Sequence, residues 1–204
     1  MKREEFEAVI MANGIFPSHA VPLDILQRAP HVVACDGAVN RYPQAEAVVG
    51  DGDSIAEEYR PKLVVIDEQD DNDLTKATRY CLSRGWRRIA YLGATGQRED
   101  HTLGNIALLM RYYRDMGVNG VMYTDHGQFT PVSGKRTFQS FAGQQVSIFN
   151  FGSTRIESEG LKWDSYAYRE LWQGTLNEAL ADHFTLYADG NYMVYQTYDG
   201  KSKR

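Results

Sequence analysis

Two short acidic segments hold the residues of this sequence that are best suited to chemistry. Residues 50–54 read Gly-Asp-Gly-Asp-Ser, which places two carboxylates, Asp51 and Asp53, two positions apart. Residues 69–76 read Gln-Asp-Asp-Asn-Asp-Leu-Thr-Lys, so a second group of carboxylates is followed by a lysine. Carboxylate oxygens suit magnesium, which commonly binds one or two carboxylates together with the phosphates of a substrate. We therefore interpret the two segments as a divalent-metal site for a nucleoside triphosphate.

The predicted β-strands place these acids at one edge. Short apolar runs at residues 31–35, 45–49, 63–66 and 89–92 predict strands. The side chains at or after the ends of these strands are those of Asp36, Asp51, Asp53, Asp70, Asp71, Asp73, Thr95, Arg98 and Asp100. Ligands of open parallel sheets bind outside the carboxyl ends of the strands. Because converging carboxylates repel each other, a bound cation would explain the cluster, and ordinary turns rich in Asp and Gly are the alternative.

A glycine-containing segment follows the last of these strands. It reads Gly-Ala-Thr-Gly-Gln-Arg over residues 93–98, and a helix is predicted after it. Glycines let a backbone approach a ligand closely, and the amides at a helix N-terminus attract phosphate. The segment is neither a Walker A loop nor Gly-x-Gly-x-x-Gly. Lys76 and Arg98 are candidates to neutralise phosphate, and a solvated surface charge is the alternative for each.

The order of the predicted elements indicates two domains. Up to about residue 125 short strands alternate with helices, which is typical of α/β proteins with a mostly parallel sheet and flanking helices. The third predicted helix, at residues 100–116, has an apolar stripe of Leu103, Ile106, Ala107, Met110 and Tyr113. From residue 128 short β-rich runs between glycines predict a small all-β sandwich. We therefore predict an α/β domain over residues 1–127 and a β-sandwich over residues 128–204.

Composition and charge exclude several classes of protein. The net charge of −5 gives no electrostatic basis for binding nucleic acid. No apolar run approaches the ~18–20 residues of a membrane span. Cys35 and Cys81 have no nearby Cys or His in the sequence, which argues against zinc and fits a reducing compartment. The first residues carry no secretory signal pattern, so we expect a cytoplasmic protein.

Four blocks of the sequence, in this order, resemble the thiamin pyrophosphokinase family. They are Ala-Cys-Asp-Gly-Ala-Val-Asn-Arg at 34–41, Gly-Asp-Gly-Asp-Ser at 50–54, Gln-Asp-Asp-Asn-Asp-Leu-Thr-Lys-Ala at 69–77 and Gly-Ala-Thr-Gly-Gln-Arg-Glu-Asp-His at 93–101, running on to Asn105. A weaker block, Glu-Gly-Leu-Lys-Trp at 159–163, precedes Thr-Leu-Asn-Glu at 175–178. The resemblance implies a homodimer that transfers a pyrophosphoryl group from ATP to the hydroxyl of thiamin, with Mg²⁺ as cofactor and release of AMP.

The resemblance also implies roles for individual residues. The residues expected to bind metal are Asp36, Asp51, Asp53 and Asp73. Those expected to act in catalysis are Asp73, Lys76, Arg98 and Asp100. The residues expected to contact the nucleotide or its phosphates are Asp36, Asn40, Gln69, Asn72, Thr95 and Gly96. Trp163 and Asn177 are expected to contribute to the thiamin pocket.

Two other functions stay open. A pyrophosphokinase for another hydroxymethyl heterocycle, such as a pterin, would use the same donor chemistry. A non-catalytic nucleotide-binding protein would bind ATP without forming AMP. The proton acceptor is also open, between Asp100 and one of the metal-site carboxylates. The chain departs from the family pattern where Gln97 replaces a glycine and Leu176 replaces a serine.

Overall fold

The computed structural model describes residues 5–66 and 70–200. The chain divides into two compact units between Asp125 and His126, two residues before the predicted boundary. Within the described residues, no helix is both long enough and apolar enough to cross a membrane.

The first unit contains a six-stranded sheet in which every pair of neighbours is parallel. The strands are β1 (Ala8–Met11), β2 (Val32–Cys35), β3 (Ala47–Gly50), β4 (Leu63–Val65), β5 (Arg88–Leu92) and β6 (Asn119–Tyr123). Their order across the sheet is β6-β5-β1-β2-β3-β4. Strands β1, β2 and β3 are buried along their whole length, which is why they read as continuous apolar runs.

The described residues of this unit form the α-helices α1 (Ala20–Arg28), α2 (Asp73–Ser83) and α3 (Glu99–Met116). The predicted N-cap Asn72 is confirmed, because its side chain accepts a hydrogen bond from the backbone N–H of Thr75. Two short 3-10 helices, Asp36–Asn40 and Glu57–Lys62, were not predicted. Helix α3 ends at Met116 and is capped by Gly117, whose φ of 66° is the left-handed conformation that glycine accommodates.

Helix α3 buries a different face from the predicted one. Of the predicted stripe, Met110 is buried, whereas Leu103 is 64% exposed and Ala107 is also exposed. The side chains that α3 does bury are Leu109, Met110 and Tyr112. Tyr112 stacks on Tyr91 of β5. Leu103 lies nine positions before Tyr112, and at about 100° per residue this separation places the two side chains on opposite sides of the helix. The prediction was wrong at Leu103 and Ala107, because the contact of α3 with β5 is made through Tyr112, whose partner Tyr91 is brought there by the tertiary fold.

The second unit consists of two antiparallel sheets. Its strands are β7 (Gly127–Ser133), β8 (Arg136–Gln139), β9 (Gln144–Asn150), β10 (Ile156–Glu159), β11 (Asn177–Glu178), β12 (His183–Ala188) and β13 (Asn191–Gly200). The strand orders are β11-β9-β13-β7 in one sheet and β10-β12-β8 in the other. Side chains of both sheets share one buried core, in which Phe138 and Phe184 stack and Ile148 and Val194 are completely buried. The predicted fold class, an α/β unit followed by a small β-sandwich, is confirmed.

Candidate active site

Asp36 organises the acidic loop that follows β3. It lies at the end of β2, is 7% exposed and has a φ of 34°, an uncommon value for a residue other than glycine. Its two carboxylate oxygens accept the backbone N–H groups of Gly52 (3.1 Å) and Ser54 (3.2 Å). Gly50 lies so close that an added Cβ would be 2.9 Å from the Cβ of Asp36. Asp36 therefore stabilises the conformation of this loop. The sequence alone could not distinguish this structural role from the predicted metal-binding role.

The same loop presents Asp51 and Asp53 to solvent, since both residues are exposed. The Asp51 carboxylate accepts the backbone N–H of Asp53 at 3.1 Å, which tightens the turn. Asn40, predicted to contact the ligand, uses both ends of its side-chain amide on this loop. It donates to the carbonyl of Ser54 (2.9 Å) and accepts the N–H of Ala56 (3.2 Å). The structure thus gives Asn40 a supporting role.

Asp73 and Lys76 face each other at the start of α2. Lys76 has a side chain that is only 5% exposed, and its Nζ lies 3.8 Å from Oδ1 of Asp73. Partial burial raises the pKa of Asp73 above its ordinary value, the Lys76 ammonium lowers it, and the carboxylates of Asp36 and Asp51 raise it. Three of the four predicted metal ligands are therefore close enough to interact electrostatically.

The carboxylates of this site fit magnesium if they supply only part of its coordination shell. In residues 5–66 and 70–200 no three His, Cys, Asp or Glu side chains are arranged to hold a metal ion by themselves. Magnesium usually keeps several waters and takes one or two carboxylates together with phosphate oxygens. Asp51 and Asp73 offer such carboxylates, because Asp51 is exposed and Asp73 keeps 40% of its side chain exposed. Gln69, one of the predicted contacts, lies outside the described residues.

The glycine-containing segment after β5 packs against the residues that follow β1. The backbone N–H groups of Gly14 and Ile15 donate to the carbonyls of Gly93 (2.7 Å) and Thr95 (2.9 Å). A Cβ at Gly14 would lie 2.3 Å from the Gly93 carbonyl oxygen, so only glycine fits there. Gly96 has a φ of 89°, which glycine also accommodates. The predicted residues Thr95 and Gly96 therefore lie in a loop whose backbone is fixed.

Arg41 and Asn13 complete this loop system, and sequence reasoning missed both. The Arg41 guanidinium donates to the carbonyls of Gly14 (2.6 Å) and Asn13 (3.0 Å) and to the Asn13 side-chain oxygen (2.6 Å). It thereby ties the segment after β2 to the segment after β1. The signal that points to Asn13 is its position just after β1, since residues that follow parallel strands lie at one edge of the sheet.

Arg98 and Asp100 bind each other at the exposed N-terminus of α3. Arg98 Nε and Nη2 donate to the two oxygens of Asp100 at 3.1 and 2.6 Å. The hydrogen bond from Arg98 lowers the pKa of Asp100 to about 2. A carboxylate with so low a pKa is a weak proton acceptor. Of the candidate acceptors, Asp100 is therefore disfavoured relative to the carboxylates of the metal site.

Asp71 has a structural role. Its side chain is 7% exposed and forms ion pairs with Arg79 of α2 (2.5 Å) and Arg111 of α3 (3.1 Å). It therefore fixes the two helices to each other instead of facing a ligand.

The second unit contains a cleft of about 270 Å³ with aromatic walls. Its lining residues are Trp163, Asp164, Tyr166, Tyr168, Gln173, Gly174, Thr175, Leu176 and Asn177. Both predicted residues of this unit, Trp163 and Asn177, therefore lie in one cleft. Asn177 is buried and holds the Trp163 backbone, accepting its N–H (3.2 Å) and donating to its carbonyl (2.8 Å).

Lys162 lies beside this cleft, and sequence reasoning did not single it out. Its Nζ is 5.0 Å from the centre of the Trp163 ring and 3.2 Å from a carboxylate oxygen of Glu178. One face of Trp163 therefore already carries a cation–π contact.

These features define a class of protein. An acidic, glycine-lined edge of a parallel sheet, together with a separate β-sandwich that carries an aromatic cleft, fits a two-domain transferase of phosphate-containing groups.

Comparison with known proteins identifies the family. Residues 23–119 match the description "Thiamin pyrophosphokinase, catalytic domain" and residues 127–195 match "Thiamin pyrophosphokinase, substrate-binding domain". A curated relative, thiamin pyrophosphokinase 1 of Caenorhabditis elegans, is 31% identical over 105 residues, or 44% of this chain and 43% of the worm protein. The chain belongs to the thiamin pyrophosphokinase family, as its sequence motifs predicted.

Solved structures show the same fold. Thiamine pyrophosphokinase of Bacillus subtilis superposes with a TM-score of 0.76 and 19% identity over 94% of this chain and 99% of that chain. Thiamin pyrophosphokinase of Candida albicans superposes with a TM-score of 0.77 and 15% sequence identity, over 95% of this chain and 90% of that chain. Yeast thiamin pyrophosphokinase superposes with a TM-score of 0.76 and 15% sequence identity, over 96% of this chain and 87% of that chain.

Proposed function

We propose that the protein transfers the pyrophosphoryl group of ATP to the hydroxyl of thiamin, giving thiamin diphosphate and AMP. A bond forms between the thiamin hydroxyl oxygen and the β-phosphorus. The bond between that phosphorus and the α,β-bridging oxygen breaks, and the oxygen leaves with AMP. The observation that carries the proposal is the meeting of Asp36, Asp51 and the buried Lys76 around Asp73, in a chain whose two parts match the two domains of this family.

The residues of the first unit suit the donor. Transfer of this kind depends on positioning and on the stabilisation of charge. Lys76 is a buried ammonium group, and a charge that is shielded from water acts more strongly on a phosphate than an exposed one. The backbone of the Gly93–Gly96 loop offers close approach to the phosphates. Arg98 already donates two hydrogen bonds to Asp100. A contribution of its positive charge to the phosphates would therefore be shared with that carboxylate.

Magnesium is part of the proposal. Asp51 and Asp73 would hold it, with Asp53 nearby in the same loop, and Asp36 would keep that loop in place. When bound, the ion supplies positive charge to the phosphates and helps to orient them. Asp100 is disfavoured as the acceptor for the thiamin hydroxyl proton, because Arg98 lowers its pKa to about 2, which leaves the carboxylates of the metal site as candidates.

The cleft of the second unit suits the acceptor. Thiamin carries a cationic heteroaromatic ring, and Trp163, Tyr166 and Tyr168 offer aromatic faces. Asp164 adds a carboxylate to the same cleft. We propose that this cleft binds thiamin, with Trp163 and Asn177 as its main determinants.

We also propose a homodimer and a cytoplasmic location. The second unit exposes several large apolar side chains, and apolar groups of this kind on a surface are candidates for a protein–protein contact. These side chains include Trp172 (72% exposed), Leu176 (66%), Leu171 (60%) and Leu180 (56%). Both cysteines are buried free thiols, which fits a reducing compartment.

An assay of AMP release tests the proposed function. Purified protein is incubated with ATP and Mg²⁺, with and without thiamin, and AMP and thiamin diphosphate are separated by chromatography. We expect the two products in equal amounts and only with thiamin present. A pterin carrying a hydroxymethyl group serves as the competing acceptor. AMP release with the pterin but not with thiamin would contradict the assignment, and ATP binding without any AMP would identify a non-catalytic protein.

A further inference from the structure

Asn105, on the second turn of α3, joins two segments of the candidate active site. Its side-chain N–H donates to the carbonyl oxygen of Ala94 in the glycine-containing loop, at 2.8 Å. Its side-chain oxygen accepts a hydrogen bond from the amide of Asn72 at 3.1 Å. Asn72 caps α2 and directly precedes Asp73. One side chain therefore touches both the loop that would bind phosphate and the residue beside a predicted metal ligand.

The contact continues into the core as a chain of hydrogen bonds. The Asn72 oxygen accepts both the backbone N–H (3.0 Å) and the hydroxyl (2.9 Å) of Thr75. The Thr75 hydroxyl lies 2.6 Å from the hydroxyl of Tyr112, a side chain without solvent exposure. Because Thr75 donates to Asn72, Tyr112 must donate to Thr75. Every donor in the chain then points the same way, from Tyr112 to the carbonyl of Ala94. The backbone N–H of Thr75 fixes the Asn72 amide without Tyr112, so both amides keep one orientation if the buried end of the chain is removed.

We propose that Asn105 is a positioning residue, which sets the spacing between the Gly93–Gly96 loop and the start of α2. The inference rests on the proposed function, because the two segments are those expected to hold the phosphates and the metal. Without Asn105, the Ala94 carbonyl and the Asn72 amide each lose a partner and the two segments can move independently. A displacement of about 1 Å in such a site can reduce the rate by about 100-fold.

Three variants separate the two halves of the contact. Asn105→Ala removes both hydrogen bonds. Asn105→Asp still accepts from Asn72 but cannot donate to Ala94. Asn72→Ser keeps an N-cap oxygen for Thr75 but is too short to reach Asn105. Tyr112→Phe is the matched control, since it removes the buried end of the chain and leaves the bonds of Asn105 in place.

The first measurement is kinetic. We expect Asn105→Ala to lower kcat by about 10- to 100-fold. Asn105→Asp and Asn72→Ser should each lower kcat by a smaller factor, and thiamin KM should stay within twofold of wild type in all three. Tyr112→Phe should keep kcat within twofold even where its Tm falls as far as that of Asn105→Ala. A wild-type kcat in Asn105→Ala, or an equal loss of kcat in Tyr112→Phe, would overturn the proposal.

The second measurement is independent of activity. Hydrogen–deuterium exchange of the peptides over residues 72–76 and 93–98 reports whether the two segments are held. We expect faster exchange in both peptides for Asn105→Ala and in neither for Tyr112→Phe. Unchanged exchange in Asn105→Ala would refute the tether. If Asn105→Ala does not fold, Asn105→Asp and Asn72→Ser decide by the same two measurements. A wild-type enzyme that forms no AMP would refute the proposed function, and the exchange data would still decide the tether.

Discussion

Replacing Lys76 by methionine tests the role of the buried ammonium. The substitution keeps an unbranched side chain of nearly the same length and removes the ammonium group, with its charge and its N–H donors. We expect kcat to fall by about 10²- to 10³-fold, or about 2.7–4 kcal/mol, which is typical for the loss of one preorganised electrostatic contact to a transition state. Steady-state rates of AMP release over a range of ATP concentrations measure this loss.

Stability should change much less than activity. At 3.8 Å, the attraction between Lys76 and Asp73 is between ~1 kcal/mol in water and ~4 kcal/mol at an effective dielectric constant of 20. Because 40% of the Asp73 side chain is exposed, solvent screening favours the lower part of this range. Methionine also avoids the cost of burying a charge. A net loss of up to ~2 kcal/mol corresponds to a decrease in Tm of about 4–8 °C.

Lys62→Met is a matched control in the same unit. Lys62 Nζ donates to the carbonyls of Pro43 and Ala45, each at 2.8 Å, and lies outside the proposed site. We expect this variant to lose some stability and to keep the wild-type kcat. If Lys76→Met kept kcat within threefold of wild type, or if both variants lost the same activity, the reasoning about Lys76 would be refuted.

Further substitutions test the other predicted roles. Asp51→Asn and Asp73→Asn should each abolish AMP release in a folded protein, and full activity in either would contradict a metal role. Because the folded-state pKa of Asp73 is raised, its charge disfavours folding at pH values above that pKa. The Tm advantage of Asp73→Asn over wild type should therefore grow as pH rises from below 3.8 through the raised pKa and then level off, and an advantage independent of pH would refute this. Asp100→Asn should leave the acidic limb of the kcat–pH profile in place, since the Asp100 pKa of about 2 lies below the assay range, and a shifted limb would restore Asp100 as the base. Trp163→Ala should raise the KM of thiamin more than that of ATP, and equal effects would remove Trp163 from the thiamin cleft.

The sequence predicted the parts of the fold that local patterns determine. Buried parallel strands read as short apolar runs, and Asn72 precedes a helical pattern as an N-cap should. Glycines between β-rich runs predicted the sandwich of the second unit. The buried face of α3 was predicted wrongly at Leu103 and Ala107, because the contact of Tyr112 with Tyr91 depends on the tertiary fold.

Predictions about the site were limited by long-range contacts. The rule that strand ends meet at one edge brought Asp36, Asp51 and Asp73 together correctly. It could not show that the Asp36 carboxylate accepts two loop amides, or that Arg98 binds Asp100. Arg41 was missed because its partners are backbone groups 27 and 28 residues away, which leave no mark in a local motif.

The most direct test of the central claim follows the phosphorus atoms of ATP. The protein is incubated with thiamin, Mg²⁺ and ATP that is labelled at either the α- or the γ-phosphorus, and the products of a single turnover are separated. Transfer of a pyrophosphoryl group predicts that the γ-label appears in thiamin diphosphate and the α-label in AMP, with no ADP formed. ADP together with a singly phosphorylated thiamin, or labelled inorganic phosphate alone, would contradict the account.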